Sequence, residues 1–126
     1  MVYAVRGAIG VDQDSHEDIC GAVQLLIPEI CRRNGISEDD LVSIIFSQTE
    51  DLRAANPAAC LRRIGYAAVP LFCTREPEYP DSLPRILRTL VTFRSSEGRS
   101  PIPVYEGRAA SLRPDLSGNT SSREHP

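Results

Sequence analysis

The sequence predicts an α+β fold in which one mixed β-sheet carries helices on one face. The chain has 126 residues, enough for one hydrophobic core but too few for two. Hydrophobic residues make up 41% and charged residues 25%, which is typical of a globular chain rather than a disordered one. Segments of strand and helix character follow one another in the order β-α-β-α-β-β-β, without an internal repeat.

The first strand and the first helix are predicted from the N-terminal third of the chain. Residues 2–11 alternate loosely between β-branched or aromatic residues and small ones, which indicates a strand. Between residues 19 and 30, apolar side chains recur at helical spacing and form one stripe. Asp14 or Ser15 is suited to cap the start of this helix, which should end near Gly35.

The remaining elements are shorter. Pro57 suits the first position of a second helix that is capped by Asn56 and ends at Gly65. Four segments rich in β-branched and apolar residues are predicted as strands: 41–48, 67–73, 85–93 and 104–110. Residues 41–48 are apolar on both faces, so we expect the open face of the sheet to be buried against a partner.

Residues 1–116 are expected to form the single domain and residues 117–126 a flexible tail. The last ten residues are polar and poor in apolar side chains, which is typical of a terminus that stays disordered. The formal charge of -3 argues against a general nucleic-acid binder. No apolar stretch reaches the length of a membrane span, and no signal peptide is apparent, so a cytoplasmic protein is expected.

Cysteine and histidine usage limits the chemistry that this chain is expected to perform. In a cytoplasmic protein the four cysteines should be reduced thiols, and their spacings match no metal motif: Cys20, Cys31, Cys60 and Cys73. The chain has only two histidines, so a catalytic triad or a histidine metal site is not expected. We therefore expect neither a metal nor a cofactor.

All 14 cationic side chains are arginines, and two of them lie within apolar runs of separate predicted strands. Arg6 and Arg88 interrupt apolar runs, and a cation on such a face is costly unless an anion pairs with it. A coding bias toward arginine, a solvated strand face or a structural ion pair would also explain them. Glu76 supplies one carboxylate, which leaves surplus positive charge suited to a small dianion that bears a hydroxyl group.

These groups occur within five short motifs that together resemble the monofunctional AroH-class chorismate mutases. The resemblance spans residues 2–116 and rests on the motifs in register rather than on any one of them. In chain order the motifs are VRGA, VPLFC-x-x-E, the strand I-L-R, V-Y-x-x-x-A and L-R-P-D-L.

The resemblance implies a homotrimer that forms a pseudo-α/β barrel, with active sites between adjacent subunits. It implies conversion of chorismate to prephenate, an intramolecular Claisen rearrangement in aromatic amino-acid biosynthesis. Such a pericyclic step requires no nucleophile, metal or proton transfer, which fits the scarcity of histidine. What the protein must supply is a compact substrate conformer and stabilisation of charge on the ether oxygen.

The resemblance also implies roles for individual residues. Arg6 would bind a substrate carboxylate, and Arg88 would face the ether oxygen and a carboxylate. Glu76 would hold the ring hydroxyl, with Cys73 beside it. Tyr105 would contact the side-chain carboxylate.

Further residues are implied at the rim of the site. Arg62 would approach a carboxylate from the neighbouring subunit, while Leu112 and Arg113 would belong to a segment that closes over the substrate. The rim departs from the family pattern in three residues, of which the last is also expected to contact substrate: Asn56, Ala59 and Phe72.

Two other functions fit the residues less well. One is a trimeric Rid-like imine deaminase, which also holds a substrate carboxylate with an interfacial arginine. The other is a non-catalytic trimeric module that binds a metabolite of the aromatic pathway. Loss of chorismate ultraviolet absorbance on addition of pure protein separates both from a mutase.

Overall fold

The computed structural model describes residues 1–112 and contains five strands and two α-helices. The helices are α1 (His16–Asn34) and α2 (Pro57–Arg62). The strands are β1 (Val2–Gly10), β2 (Leu41–Gln48), β3 (Leu71–Arg75), β4 (Ile86–Arg94) and β5 (Val104–Glu106). Short 3₁₀ segments lie at Glu38–Asp40 and Gly107–Ser111.

The strands form one mixed sheet in the order β3-β2-β4-β1-β5. Strand β4 is antiparallel to both of its neighbours, β1 and β2, while the β2–β3 and β1–β5 pairs are parallel. The α+β class is therefore confirmed. Because β4 lies between β1 and β2, residues far apart in sequence become neighbours at the centre of the sheet.

Both helices begin at the caps that the sequence predicts. The Ser15 hydroxyl accepts a hydrogen bond from the Asp18 N–H at 3.1 Å, and Asn56 Oδ1 accepts from the Ala58 N–H at 2.9 Å. Helix α1 ends at Gly35, which has a left-handed φ of 61° that glycine adopts without steric cost. Local sequence signals thus predict where both helices begin and where α1 ends.

The main core lies between α1 and one face of the sheet. The apolar stripe of α1, which includes Ile19, Val23 and Ile30, is fully buried there. The helix comes so close to β1 that a Cβ on Gly7 would be 2.6 Å from Ile30 Cδ1. This contact gives a packing reason for the glycine in the motif VRGA.

Three predicted boundaries differ from the observed ones by three residues or more. Strand β3 begins at Leu71 instead of residue 67, since a turn at residues 63–65 ends at the positive-φ Gly65 and residues 66–70 are irregular. Strand β5 ends at Glu106, because Gly107 adopts a φ of 61° and starts a 3₁₀ segment. Helix α2 stops at Arg62, three residues early. In each case a backbone reversal interrupts an element that the side-chain pattern would have continued.

The expectation of four reduced cysteines is wrong. Cys20 of α1 and Cys60 of α2 form a disulfide, while Cys31 and Cys73 are free. The two helices pack against each other, and Gln24 Nε2 donates to the Cys60 carbonyl at 3.0 Å. That packing brings together two thiols 40 residues apart, a proximity that sequence spacing does not reveal.

The opposite face of the sheet is largely open. Ile45 and Leu90 are each 38% exposed at its centre, and Phe72 is 66% exposed on the edge strand β3. Exposure of large apolar side chains on the middle of a sheet is unusual for a monomer and indicates a contact surface. Within residues 1–112, no helix is long and apolar enough to cross a membrane.

Candidate active site

One row of residues crosses all five strands on the open face. Residues paired across a sheet point to the same side, so a continuous register defines which side chains meet. The pairs Thr74–Ser47, Ser47–Arg88, Arg88–Ala8 and Ala8–Tyr105 are each in register. We call this set the central row: Thr74, Ser47, Arg88, Ala8 and Tyr105.

A second row lies two residues away from the central row on β1, β2, β3 and β4. It consists of Phe72, Ile45, Leu90 and Arg6. Two residues along a strand correspond to about 6.5 Å, so Arg6 lies diagonally across from Arg88. The sheet thus places both strand arginines on one face.

Glu76 reaches this face from just beyond the end of β3. Its backbone N–H donates to the Gln48 carbonyl at 2.8 Å, which extends the β2–β3 pairing by one residue. Its Oε1 accepts a hydrogen bond from the Ser47 hydroxyl at 2.6 Å. Its Oε2 lies 3.5 Å from Arg88 Nε, within ion-pair range. Glu76 is therefore held by the Gln48 carbonyl and the Ser47 hydroxyl, and its carboxylate faces Arg88.

The Arg88 Nε is buried and has no hydrogen-bond partner among residues 1–112. Its contact with Glu76 is an electrostatic approach without hydrogen-bond geometry. A buried donor without an acceptor costs roughly 1–3 kcal/mol, more when it carries charge. An anionic ligand that supplied an acceptor here would remove that cost. The site contains two guanidinium groups, those of Arg6 and Arg88, and one carboxylate, that of Glu76. Its net positive charge therefore also favours binding of an anion.

Tyr105 lies at the β5 end of the central row. It is 5% exposed and packs with Ala8, Ile86 and Ala109 in a small second cluster on the open face. Leu112 packs against this cluster from outside it. Arg113 lies outside the described residues.

The structure places Cys73 on the other side of the sheet from Arg88. Its Sγ donates to Asn56 Oδ1 at 3.4 Å, and it packs partly against the main core. Asn56 and Cys73 line a hollow of about 570 Å³ at the start of α2. Arg62 is exposed at the end of α2, and among residues 1–112 no hydrogen bond or ion pair joins it to the central row. Cys73 and Arg62 are thus not brought to the Arg88–Glu76 pair.

Two residues of the site region were missed by the sequence analysis. Ser47 contacts Glu76 directly, and the only signal for it is a polar residue near the end of an apolar strand. Arg53 lines the hollow beside Asn56 and also a smaller one of about 240 Å³ beside Glu76. Its backbone N–H and that of Ala54 donate to Asp14 Oδ1, and these bonds lower the pKa of Asp14.

The charged groups of this site are suited to bind and stabilise negative charge. Charged groups on a rigid sheet are preorganised, so they stabilise negative charge without having to reorient. Within residues 1–112, no group of three or more His, Cys, Asp or Glu side chains is placed to hold a metal ion. The site is thus built to bind an anion and to stabilise charge that develops on it.

Comparisons with known proteins agree with this geometry. Residues 2–116 match the family described as chorismate mutase type I. The chorismate mutase AroH of Thermus thermophilus is 42% identical over 118 residues, which are 92% of this chain and 97% of that protein. The AroH of Bacillus subtilis is 32% identical over 119 residues, 93% of this chain and 94% of its own. A solved chorismate mutase structure from Clostridium thermocellum superimposes with a TM-score of 0.83 at 35% identity, covering 87% of this chain and 99% of that one.

The fold and these comparisons thus define the class of the protein, an isomerase. The chain belongs to the type I chorismate mutase family. Its role is in aromatic amino-acid biosynthesis, and the resemblance that the five motifs predicted is confirmed.

Proposed function

We propose that the chain rearranges chorismate to prephenate at the Arg88–Glu76 pair on the open face of the sheet. The observation that carries this proposal is the buried Arg88 Nε, which has no hydrogen-bond acceptor among the described residues. The ether oxygen of chorismate is such an acceptor, and it becomes more negative as the C–O bond breaks. The interaction therefore strengthens toward the transition state, which is what catalysis requires.

The proposed mechanism needs no proton transfer. One C–O bond breaks and one C–C bond forms as electron pairs move around a six-membered ring. Arg88 stabilises the ether oxygen, Glu76 accepts a hydrogen bond from the ring hydroxyl, and Arg6 and Tyr105 bind carboxylates. A preorganised donor at a developing oxyanion contributes about 2.7–4 kcal/mol. No cofactor or metal enters this mechanism.

The test is an absorbance assay with pure protein and chorismate. Loss of chorismate absorbance, with prephenate as the product, supports the proposal. A protein that leaves chorismate unchanged but binds it would instead be the non-catalytic module. A protein that releases ammonia from imines and leaves chorismate unchanged would be a deaminase of the Rid type.

We also propose that the protein is a homotrimer with active sites between subunits. The open face supports this, since Ile45, Leu90 and Phe72 are exposed there next to the Arg88–Glu76 pair. A site on this face is covered only when a neighbouring subunit packs against it. Arg62, which does not reach the pair within one chain, is then a candidate to reach the site of an adjacent subunit.

Replacing Ile45 with Asp should dissociate the trimer, because a carboxylate with the apolar cross-strand neighbours Phe72 and Leu90 would be buried in each interface. Light scattering at micromolar concentration should then give the mass of a monomer, and activity should fall with it. The matched control is Leu25→Asp on the outer surface of α1, where Leu25 is 53% exposed. It should remain a trimer. A wild-type monomer with full activity would contradict the shared-site proposal.

Three further points belong to the same proposal. Residues 1–116 are the proposed catalytic domain, with Leu112 and Arg113 in the segment proposed to close over the substrate. The predicted tail, residues 117–126, lies outside the described residues and is proposed to be dispensable. Phe72 contacts substrate from the edge strand.

We place the enzyme in the cytoplasm on account of its biosynthetic role. Disulfides are rare in the cytoplasm, so thiol counting in acid-quenched cells tests this placement against the Cys20–Cys60 disulfide.

A further inference from the structure

We infer that Ser47 is a positioning residue that keeps the Glu76 carboxylate from closing onto Arg88. This inference rests on the proposed function, since it concerns how the same site stays ready for substrate. Ser47 does not itself touch the reacting atoms in this account. It acts through the carboxylate to which it donates.

Ser47 lies where it can control both charged groups. In the central row it is flanked by Thr74 on one side and Arg88 on the other. Its Oγ is 2.6 Å from Glu76 Oε1, a short and therefore strong charge-assisted hydrogen bond. The next residue, Gln48, binds the Glu76 backbone N–H at 2.8 Å. Consecutive residues of β2 thus fix both the main chain and the side chain of Glu76.

The effect of this anchoring is visible in the Arg88–Glu76 geometry. A free carboxylate beside a guanidinium usually forms a close, often bidentate, hydrogen-bonded pair. Here Glu76 Oε2 stays 3.5 Å from Arg88 Nε, and that Nε makes no hydrogen bond within residues 1–112. The hydrogen bond from Ser47 holds Oε1 in a position that leaves the pair unclosed. Arg88 then remains available to an incoming acceptor.

Without the Ser47 hydroxyl, Glu76 would rotate and satisfy Arg88 Nε itself. Substrate would then have to displace a closed ion pair before Arg88 reached the ether oxygen. The loss would appear in kcat, because the contact at stake strengthens in the transition state. We expect Ser47→Ala to lower kcat about tenfold and to change KM by less than a factor of three.

Three variants separate positioning from a general structural effect. Ser47→Thr retains a hydroxyl and should restore most of kcat, since threonine is favourable in a strand. Ser43→Ala is the matched control, because Ser43 lies on the same strand and the same face but pairs with Thr92. It should leave kcat unchanged. In a Glu76→Ala background, Ser47→Ala should cost nothing further, since it has no carboxylate left to act upon.

A crystal structure of the Ser47→Ala variant provides a readout besides activity. The Glu76–Arg88 distance should shorten from 3.5 Å to hydrogen-bond length. The inference is overturned if Ser47→Ala keeps wild-type kcat, if its loss persists in the Glu76→Ala background, or if the pair stays open in the crystal. Those results would leave the proposed function intact. Absence of mutase activity in the wild-type protein would instead refute the proposed function, and the inference with it.

Discussion

Replacing Arg88 with Gln is expected to lower kcat by at least about a hundredfold, which corresponds to roughly 3 kcal/mol of activation free energy. Gln retains a hydrogen-bond donor but removes the positive charge that faces the ether oxygen. Since that charge matters most in the transition state, the loss should fall mainly on kcat and not on KM. Steady-state kinetics on chorismate measure both parameters.

The matched control for this variant is Arg94→Gln. Arg94 lies on the same strand and face but is exposed at the far end, paired with Val2. It should keep wild-type kinetics, and circular dichroism should show a native fold for both variants. If Arg88→Gln kept the wild-type kcat, the electrostatic mechanism would be abandoned. A change in KM alone would mean that Arg88 only anchors a carboxylate.

The second large effect concerns stability. Replacing both Cys20 and Cys60 with Ser should lower the free energy of unfolding by about 4 kcal/mol, from the loop-entropy relation for a 40-residue separation. The cross-link restricts the unfolded chain, so its loss favours unfolding even where native contacts remain. Denaturant titration at one fixed protein concentration measures the change, because an oligomer's stability depends on concentration.

Reductant provides an internal check on the disulfide. Reduced wild-type protein should unfold at the same denaturant concentration as the double variant, and the variant itself should not respond to reductant. Thiol titration of the unfolded, non-reduced wild type should count two free cysteines, Cys31 and Cys73. A count of four thiols, or a denaturation midpoint insensitive to reductant, would refute the stabilising disulfide.

In the proposed mechanism, the site gives up some folding stability for its function. A buried guanidinium N–H without an acceptor is unfavourable, and the sheet could have closed the Arg88–Glu76 pair to satisfy it. In our proposal, the hydrogen bond from Ser47 to Glu76 keeps the pair apart instead. The free energy that folding loses there becomes available when a substrate oxygen binds, which is how preorganised sites commonly work.

The amino-acid sequence alone determined the features that depend on near neighbours. The caps Ser15 and Asn56 are predicted by residue type and confirmed, since the hydrogen bonds involved span only two or three residues. The order of strands and helices follows from periodicity within each segment. The motifs around Arg6 and Arg88 identify the family, because in-register motifs along one chain are a property of the sequence itself.

Which of these residues come into contact depends on how the strands and helices pack in the folded chain. Inserting β4 between β1 and β2 places Arg88 beside Ser47 and Ala8, residues about 40 and 80 positions away along the chain. The same kind of long-range packing joins Cys20 to Cys60 and pairs Ser47 with Glu76. Strand order and helix packing depend on the free energy of the whole fold, to which each local segment contributes only a part. Sequence patterns therefore predicted the elements and the charged residues, while the contacts among those residues emerged only when the sheet was assembled.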